Sequence, residues 1–238
     1  MIPLRDDIPA RRVPVVTWAL IAVNVLVFLY QLTLPPGQLE LLLWLRGFVP
    51  ARYSHPEAAA SAGIPPDGYL SLLTSIFLHG GWLHLIANMW SLWIFGDNVE
   101  DRMGRVKFLL FYLVCGVAAG LLHWVTNLDS DVPTIGASGA IAGVLGAYFV
   151  LFPRARVLTL VPIVFIPLFF EIPAVIFLLI WIGLQVAQAW IGLGMDVGGG
   201  VAWWAHVGGF AAGLLLHRIF LDRRAAPAPP RHVRRDER

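Results

Sequence analysis

Four polar side chains in apolar surroundings carry the chemistry open to this chain. They are Ser138 in IGASGAIAG, His206 in WWAHVGGFAAG, and His84 with Asn88 in WLHLIANMW. A serine beside a histidine is a nucleophile beside a base, the pairing that acyl transfer requires. A second histidine and an asparagine add donors that can steady a developing oxyanion. Ionisable groups inside membrane segments are rare and mark function by default.

Each motif also has a plain reading. Ser138 lies in Gly136-Ala137-Ser138-Gly139, at the mouth of a predicted helix. Free N–H groups and the positive end of the dipole sit there. Taken alone, the four residues are better explained by small-residue packing between membrane helices. His206 precedes Gly209 and Gly213, which fall at i+3 and i+7 on the same helical face. Ala142, Gly143 and Gly146 give the Ser138 helix a matching set, so a close crossing of the two would bring His206 to Ser138. For His206 alone, a bond to an interfacial water or carbonyl is a serious rival. His84 and Asn88 are four apart and share a face, where interhelical polar glue is the alternative. Neither Asp, Glu nor Cys accompanies them at ligand spacing, so a metal is not expected. His79 and His123 read as packing or interfacial residues, and Asp97, Glu100 and Asp101 as capping or anchoring groups.

The elements that must hold these residues are membrane helices. The chain is 58% hydrophobic and 13% charged, with mean hydropathy +0.73. Soluble domains carry about 25% charged residues. Ten Trp and five Tyr suit interfacial anchoring. The basic balance does not point to nucleic acid, because the Lys and Arg residues flank apolar blocks. The single cysteine, Cys115, permits no intrachain disulfide. The first block is too long for a signal-peptide core and is expected to be retained.

Six spans are predicted, at roughly 13–34, 82–101, 106–126, 138–153, 172–192 and 202–221. Residues 1–12 form a polar tail, 13–221 one six-helix domain, and 222–238 a Pro/Arg-rich tail expected to be disordered. Gln38 to Trp44 reads as a short amphipathic helix at the interface. Residues 157–171, broken by Pro162 and Pro167, read as a membrane-hugging connection. The fourth span is short for a bilayer of about 30 Å, which suggests that Ser138 begins it in a recess. With both termini inside, fifteen of the seventeen Lys and Arg residues lie on the inner side. Ser138, His206 and His84 then share one depth near the outer side. The expected fold class is an all-α polytopic membrane protein, a six-helix bundle with both termini cytoplasmic.

Taken in order on spans two, four and six, His84-x-x-x-Asn88, Gly136-Ala137-Ser138-Gly139 and Ala205-His206-x-x-Gly209-x-x-x-Gly213 resemble the rhomboid intramembrane serine proteases. The resemblance covers about residues 13–221. It implies Ser138 as nucleophile and His206 as general base, then acid. It implies oxyanion support from His84, Asn88 and the Ser138 backbone, and a role for Gly136 in keeping the loop open to substrate. It further implies transmembrane helices as substrates, cut near their outer end, with lateral access near span five and the loop 192–200 as a lid, and it implies no cofactor. The expected setting is a bacterial plasma membrane, with the site opening outward. Two positions depart from relatives of that family. Ala142 stands where some place an aromatic against the histidine, and Tyr69-Leu70-Ser71 stand where some carry Trp-Arg. Two other classes compete. A catalytically inactive, rhomboid-like client-binding protein would be favoured by loss of Ser138 or His206, and both are present. A channel or transporter predicts an internal repeat, and none is visible in the sequence.

Overall fold

In a computed structural model, the chain is described over residues 1–61, 63, 69–163, 166–194 and 202–222. It is mostly helical. The long helices are α1 (Val15–Thr33), α6 (Trp82–Met103), α7 (Arg105–Thr126), α8 (Ser138–Leu151), α9 (Ala174–Gly194) and α10 (Trp203–Phe220). Between α1 and α6 lie α2 (Pro36–Arg46), α3 (Pro50–Ser54), α4 (Pro56–Ser61) and α5 (Ser71–Thr74), followed by a 3-10 turn at Ser75–Phe77. Helix α2 includes the expected interfacial segment. Among the described residues, three helices are long and apolar enough to cross a membrane: Val15–Thr33, Arg105–Thr126 and Ala174–Gly192. This is a polytopic membrane protein. Helix α8 is apolar but has only 14 residues, about 21 Å at the usual rise.

Helices α7, α8 and α10 form the centre, and α8 is buried over almost its whole length, from Gly139 to Tyr148. Small residues make this possible. A Cβ on Gly209 would overlap the Gly139 carbonyl oxygen, and one on Gly213 the Gly143 carbonyl oxygen. Helices α8 and α10 therefore touch backbone to backbone, the close crossing that the glycine spacing predicts. Helix α1 turns Thr17, Leu20, Asn24, Phe28 and Gln31 inward. Thr17, Asn24 and Gln31 recur every seven residues, so one polar stripe of a largely apolar helix faces the bundle.

Two segments differ from the sequence expectation. The N-terminal tail contains a strand, β1 (Ile2–Asp6), and the connection after α8 is a hairpin of β2 (Arg156–Ile163) and β3 (Ile166–Pro173). The sheet is antiparallel in the order β1-β2-β3, with Ile2 opposite Leu160 and Arg156 opposite Pro173. Val, Ile, Thr and Phe favour extended backbone. Pro162 pairs with Pro167 near the tip, where neither needs to donate an N–H. Ala174 N–H bonds the Ala155 carbonyl at 2.8 Å and closes the base. Strand β1 lies along α6: Trp90 donates to the Pro3 carbonyl at 2.6 Å, and Asn98 donates to Asp6 at 2.8 Å. Strands β2 and β3 meet α9. The sheet thus bridges α6 and α9.

Candidate active site

The N-terminus of α8 places Ser138. The loop before it is tied down by the Gly136 N–H, which donates to the Ser75 carbonyl at 2.9 Å, and by paired bonds between Phe48 and Thr134. His123 of α7 meets the Thr134 hydroxyl at 2.9 Å, so this histidine anchors the loop. Ile141 is the first residue of α8 whose amide bonds a carbonyl, that of Ala137. The amides at and just after Ser138 have no backbone partner among the described residues, as expected of a helix start.

His206, buried on α10, meets the Ser138 Oγ through Nε2 at 2.8 Å. Its Nδ1 meets Oε1 of Gln185 on α9 at 2.6 Å. A neutral imidazole has one N–H. The tautomer that satisfies both bonds donates from Nδ1 to the amide oxygen and accepts the serine hydroxyl at Nε2. The rings of Trp181 and Trp203 stand 6.0 and 6.1 Å from the imidazole. They supply the aromatic packing that Ala142 lacks. Ala142 lies 3.2 Å from where a Cβ on Gly209 would stand, so it sits within the close crossing of α8 and α10.

His84 and Asn88 face the same loop from α6. The Gly80 N–H donates to His84 Nδ1 at 3.4 Å, which leaves the proton on Nε2. That nitrogen lies against Gly136, at 2.6 Å from where a Cβ would stand, and Asn88 Nδ2 is 3.6 Å from the same point. Gly136 has φ +123°, a conformation side chains avoid. The structure therefore gathers all five sequence-predicted residues: Ser138 with His206, and His84 with Asn88 around Gly136.

Sequence reasoning missed three contributors. Asn88 Nδ2 bonds Nε2 of buried His79 at 3.1 Å. Gln31 of α1 grips the His79 backbone at both N–H and C=O, each at 3.0 Å. Gln185 is the third. Gln31 was legible as the last member of the Thr17–Asn24–Gln31 stripe, and Gln185 as a polar residue in the apolar run WIGLQVAQAW. The loop position of Tyr69 is filled by an aromatic cluster: Tyr53 stacks on Phe48 and Tyr69 at 5.1 and 5.0 Å, and Trp124 closes it. The lid expected at 192–200 lies mostly outside the described residues.

A polytopic helical membrane protein with a serine hydroxyl bonded to an imidazole at a helix N-terminus is the class that the fold and site define. The sequence model of the Rhomboid domain matches residues 66–223, and the chain belongs to the rhomboid family. It is similar to Rhomboid protein 1, mitochondrial, of Saccharomyces cerevisiae, with 32% identity over 151 residues, 61% of this chain and 40% of that protein. It is similar to "Putative rhomboid protease YdcA" of Bacillus subtilis, with 32% identity over 114 residues, 46% of this chain and 57% of that protein. RHOMBOID-like protein 4 of Arabidopsis thaliana shares 33% identity over 159 residues, 64% of this chain and 34% of that protein. The matches thus span about a third to rather more than half of these relatives' lengths.

Proposed function

We propose that this chain is an intramembrane serine endopeptidase that cuts transmembrane segments near their outer end. The bond from Ser138 Oγ to His206 Nε2, at 2.8 Å, carries the reading. Nucleophile and base stand within transfer distance, and the base presents a free lone pair. In the proposed cycle, Ser138 Oγ attacks the scissile carbonyl carbon while His206 takes its proton. The oxyanion is met by the amide of Ser138 and by the Nε2–H of His84 and the amide of Asn88. His206 returns the proton to the leaving amine, then removes one from the water that attacks the acyl ester and delivers it to the departing Ser138 Oγ. Each oxyanion donor of this kind contributes on the order of 10²–10³ in kcat.

The proposed topology has six spans, with both termini cytoplasmic and the site opening outward in a bacterial plasma membrane. The charge distribution and three long apolar helices support it. Substrate access would be lateral, between α6 and α9. A fluorophosphonate probe tests the nucleophile. Wild-type protein should be labelled and Ser138→Ala should not, while His206→Ala should cleave no reporter transmembrane substrate. Equal labelling of wild type and Ser138→Ala refutes the assignment. Client binding with neither labelling nor cleavage moves the protein to the inactive, client-binding class.

A further inference from the structure

We propose that Gln185 is a positioning residue: its amide oxygen holds His206 in the one tautomer that can act as base, and makes that state depend on the seating of α9. The inference rests on the serine-protease reading of Ser138 and His206. No carboxylate bonds His206 among the described residues, so the task that an acid performs in a three-residue constellation falls to a neutral amide. In an apolar interior this is the less costly choice, because a carboxylate there would need neutralising. Gln185 is itself buried, so water does not compete for its oxygen.

The amide selects between two imidazole forms. With Nδ1–H donated to Gln185, Nε2 is a lone pair aimed at Ser138. With the proton on Nε2, the ring would donate to Ser138 Oγ and could not take its proton. Removing the acceptor frees the second form. The other groups facing His206 cannot make the selection. Trp181 and Trp203 stand 6.0 and 6.1 Å away centre to centre and only constrain the ring plane. His84 of α6 and His123 of α7 are the titratable groups acting on it, through space.

Gln185 and Trp181 are four residues apart on α9, one helical turn, and both address His206. Helix α9 meets α6 through Phe177 on Phe95, at 6.3 Å, far along α6 from His84. Near the site it is held by α10, through Gln185, Trp181 and the pair Trp190–Trp204 at 6.0 Å. A movement of α9 that admits a substrate would remove the tautomer anchor and one ring wall together. The base is armed only when the helix is seated.

The test compares wild type, Gln185→Leu and Gln185→Glu, full length in proteoliposomes, with a transmembrane reporter and a fluorophosphonate. Gln185→Leu keeps the size and lacks the acceptor. It should lower kcat on the order of 10²-fold, leave KM within about twofold, and slow Ser138 labelling in proportion. Gln185→Glu restores an acceptor, so it should regain most of the labelling rate. Because a carboxylate favours the protonated imidazole, the acid limb of its kcat/KM profile should move to higher pH. A merely structural role would not move that limb. Wild-type kcat and labelling in Gln185→Leu overturn the proposal. So does a Gln185→Glu that is as slow as Gln185→Leu with the wild-type limb. A wild type that neither labels nor cleaves fails the protease reading, and the role of Gln185 falls with it.

Discussion

Glu100 of α6 caps the first turn of α1 through Thr17. One carboxylate oxygen accepts the Thr17 N–H and its hydroxyl, both at 2.8 Å, and the other accepts the Val16 N–H at 3.0 Å. A helix start leaves N–H groups without partners and carries the positive end of the dipole. Here an acid 83 residues away satisfies both needs. Glu100 and Thr17 are buried. Glu100→Ala should therefore destabilise by about 3 kcal/mol, since hydrogen bonds to charged groups contribute about 1.5–3 kcal/mol each and the losses overlap. Glu100→Gln should lose less, and Thr17→Val about 1 kcal/mol. Unfolding in detergent measures all three, and wild-type stability in Glu100→Ala would remove the cap.

Gly136 should not tolerate a methyl group. A Cβ would stand 2.6 and 2.7 Å from His84 Nε2 and Cε1, at a backbone φ of +123°. The ring must yield, and the backbone strain adds about 1–3 kcal/mol. Because His84 moves first, Gly136→Ala should lose at least about 10²-fold in probe labelling, an oxyanion-donor loss, while the protein stays folded. Labelling at the wild-type rate would show that neither His84 nor the loop conformation matters to Ser138.

Glycines in helices separate by what faces them. Gly209 meets the Gly139 carbonyl, whereas Gly183 of α9 has nothing within 4 Å. Gly209→Ala must push α10 from α8 and should cost about 3 kcal/mol or more. It should also reduce labelling, because the same displacement parts His206 from Ser138. Gly183→Ala should stabilise by about 0.5–1 kcal/mol through helix propensity. Equal unfolding midpoints for the two variants would contradict the crossing.

How much was legible depended on whether a residue's partner could be read locally. Ser138 and His206 announced themselves as polar islands, and Gly209 and Gly213 supplied a spacing that only a close crossing explains. The helix limits followed from apolar runs: the predicted 106–126 is α7, Arg105–Thr126, and the predicted 202–221 is α10, Trp203–Phe220. Strand β1 was not legible, because Ile2 pairs with Leu160 far along the chain and nothing in IPLRD announces that partner. Residues 157–171 read as a connection broken by Pro162 and Pro167, and the hairpin shows only once those prolines are seen paired across strands. Gln185 shows a different blind spot. A polar residue in an apolar span signals a partner, but its chemistry is known only once His206 is beside it.

Asp6 makes the docking of β1 sensitive to pH. Burial, the largest influence, and nearby Asp7 push its carboxyl up to about 6, against the opposing effect of the hydroxyl of Tyr148, which donates at 2.6 Å. Asn98 donates to the same oxygen at 2.8 Å. The ordinary value is 3.8, so between about pH 4 and 6 the folded protein binds more protons than the unfolded chain. Stability from this group therefore falls as pH rises through that window, and is level below and above it. At about 1.36 kcal/mol per unit, the whole effect is at most about 3 kcal/mol. Asp6→Asn keeps an oxygen acceptor for Tyr148 and Asn98 and removes the charge. It should match wild type near pH 4 and exceed it near pH 7. Unfolding midpoints of both proteins across pH 4–8, taken as a difference, cancel the titration of groups that do not interact with Asp6. A difference that is flat, or that favours wild type at high pH, would show that the buried carboxylate carries no penalty at the β1 dock.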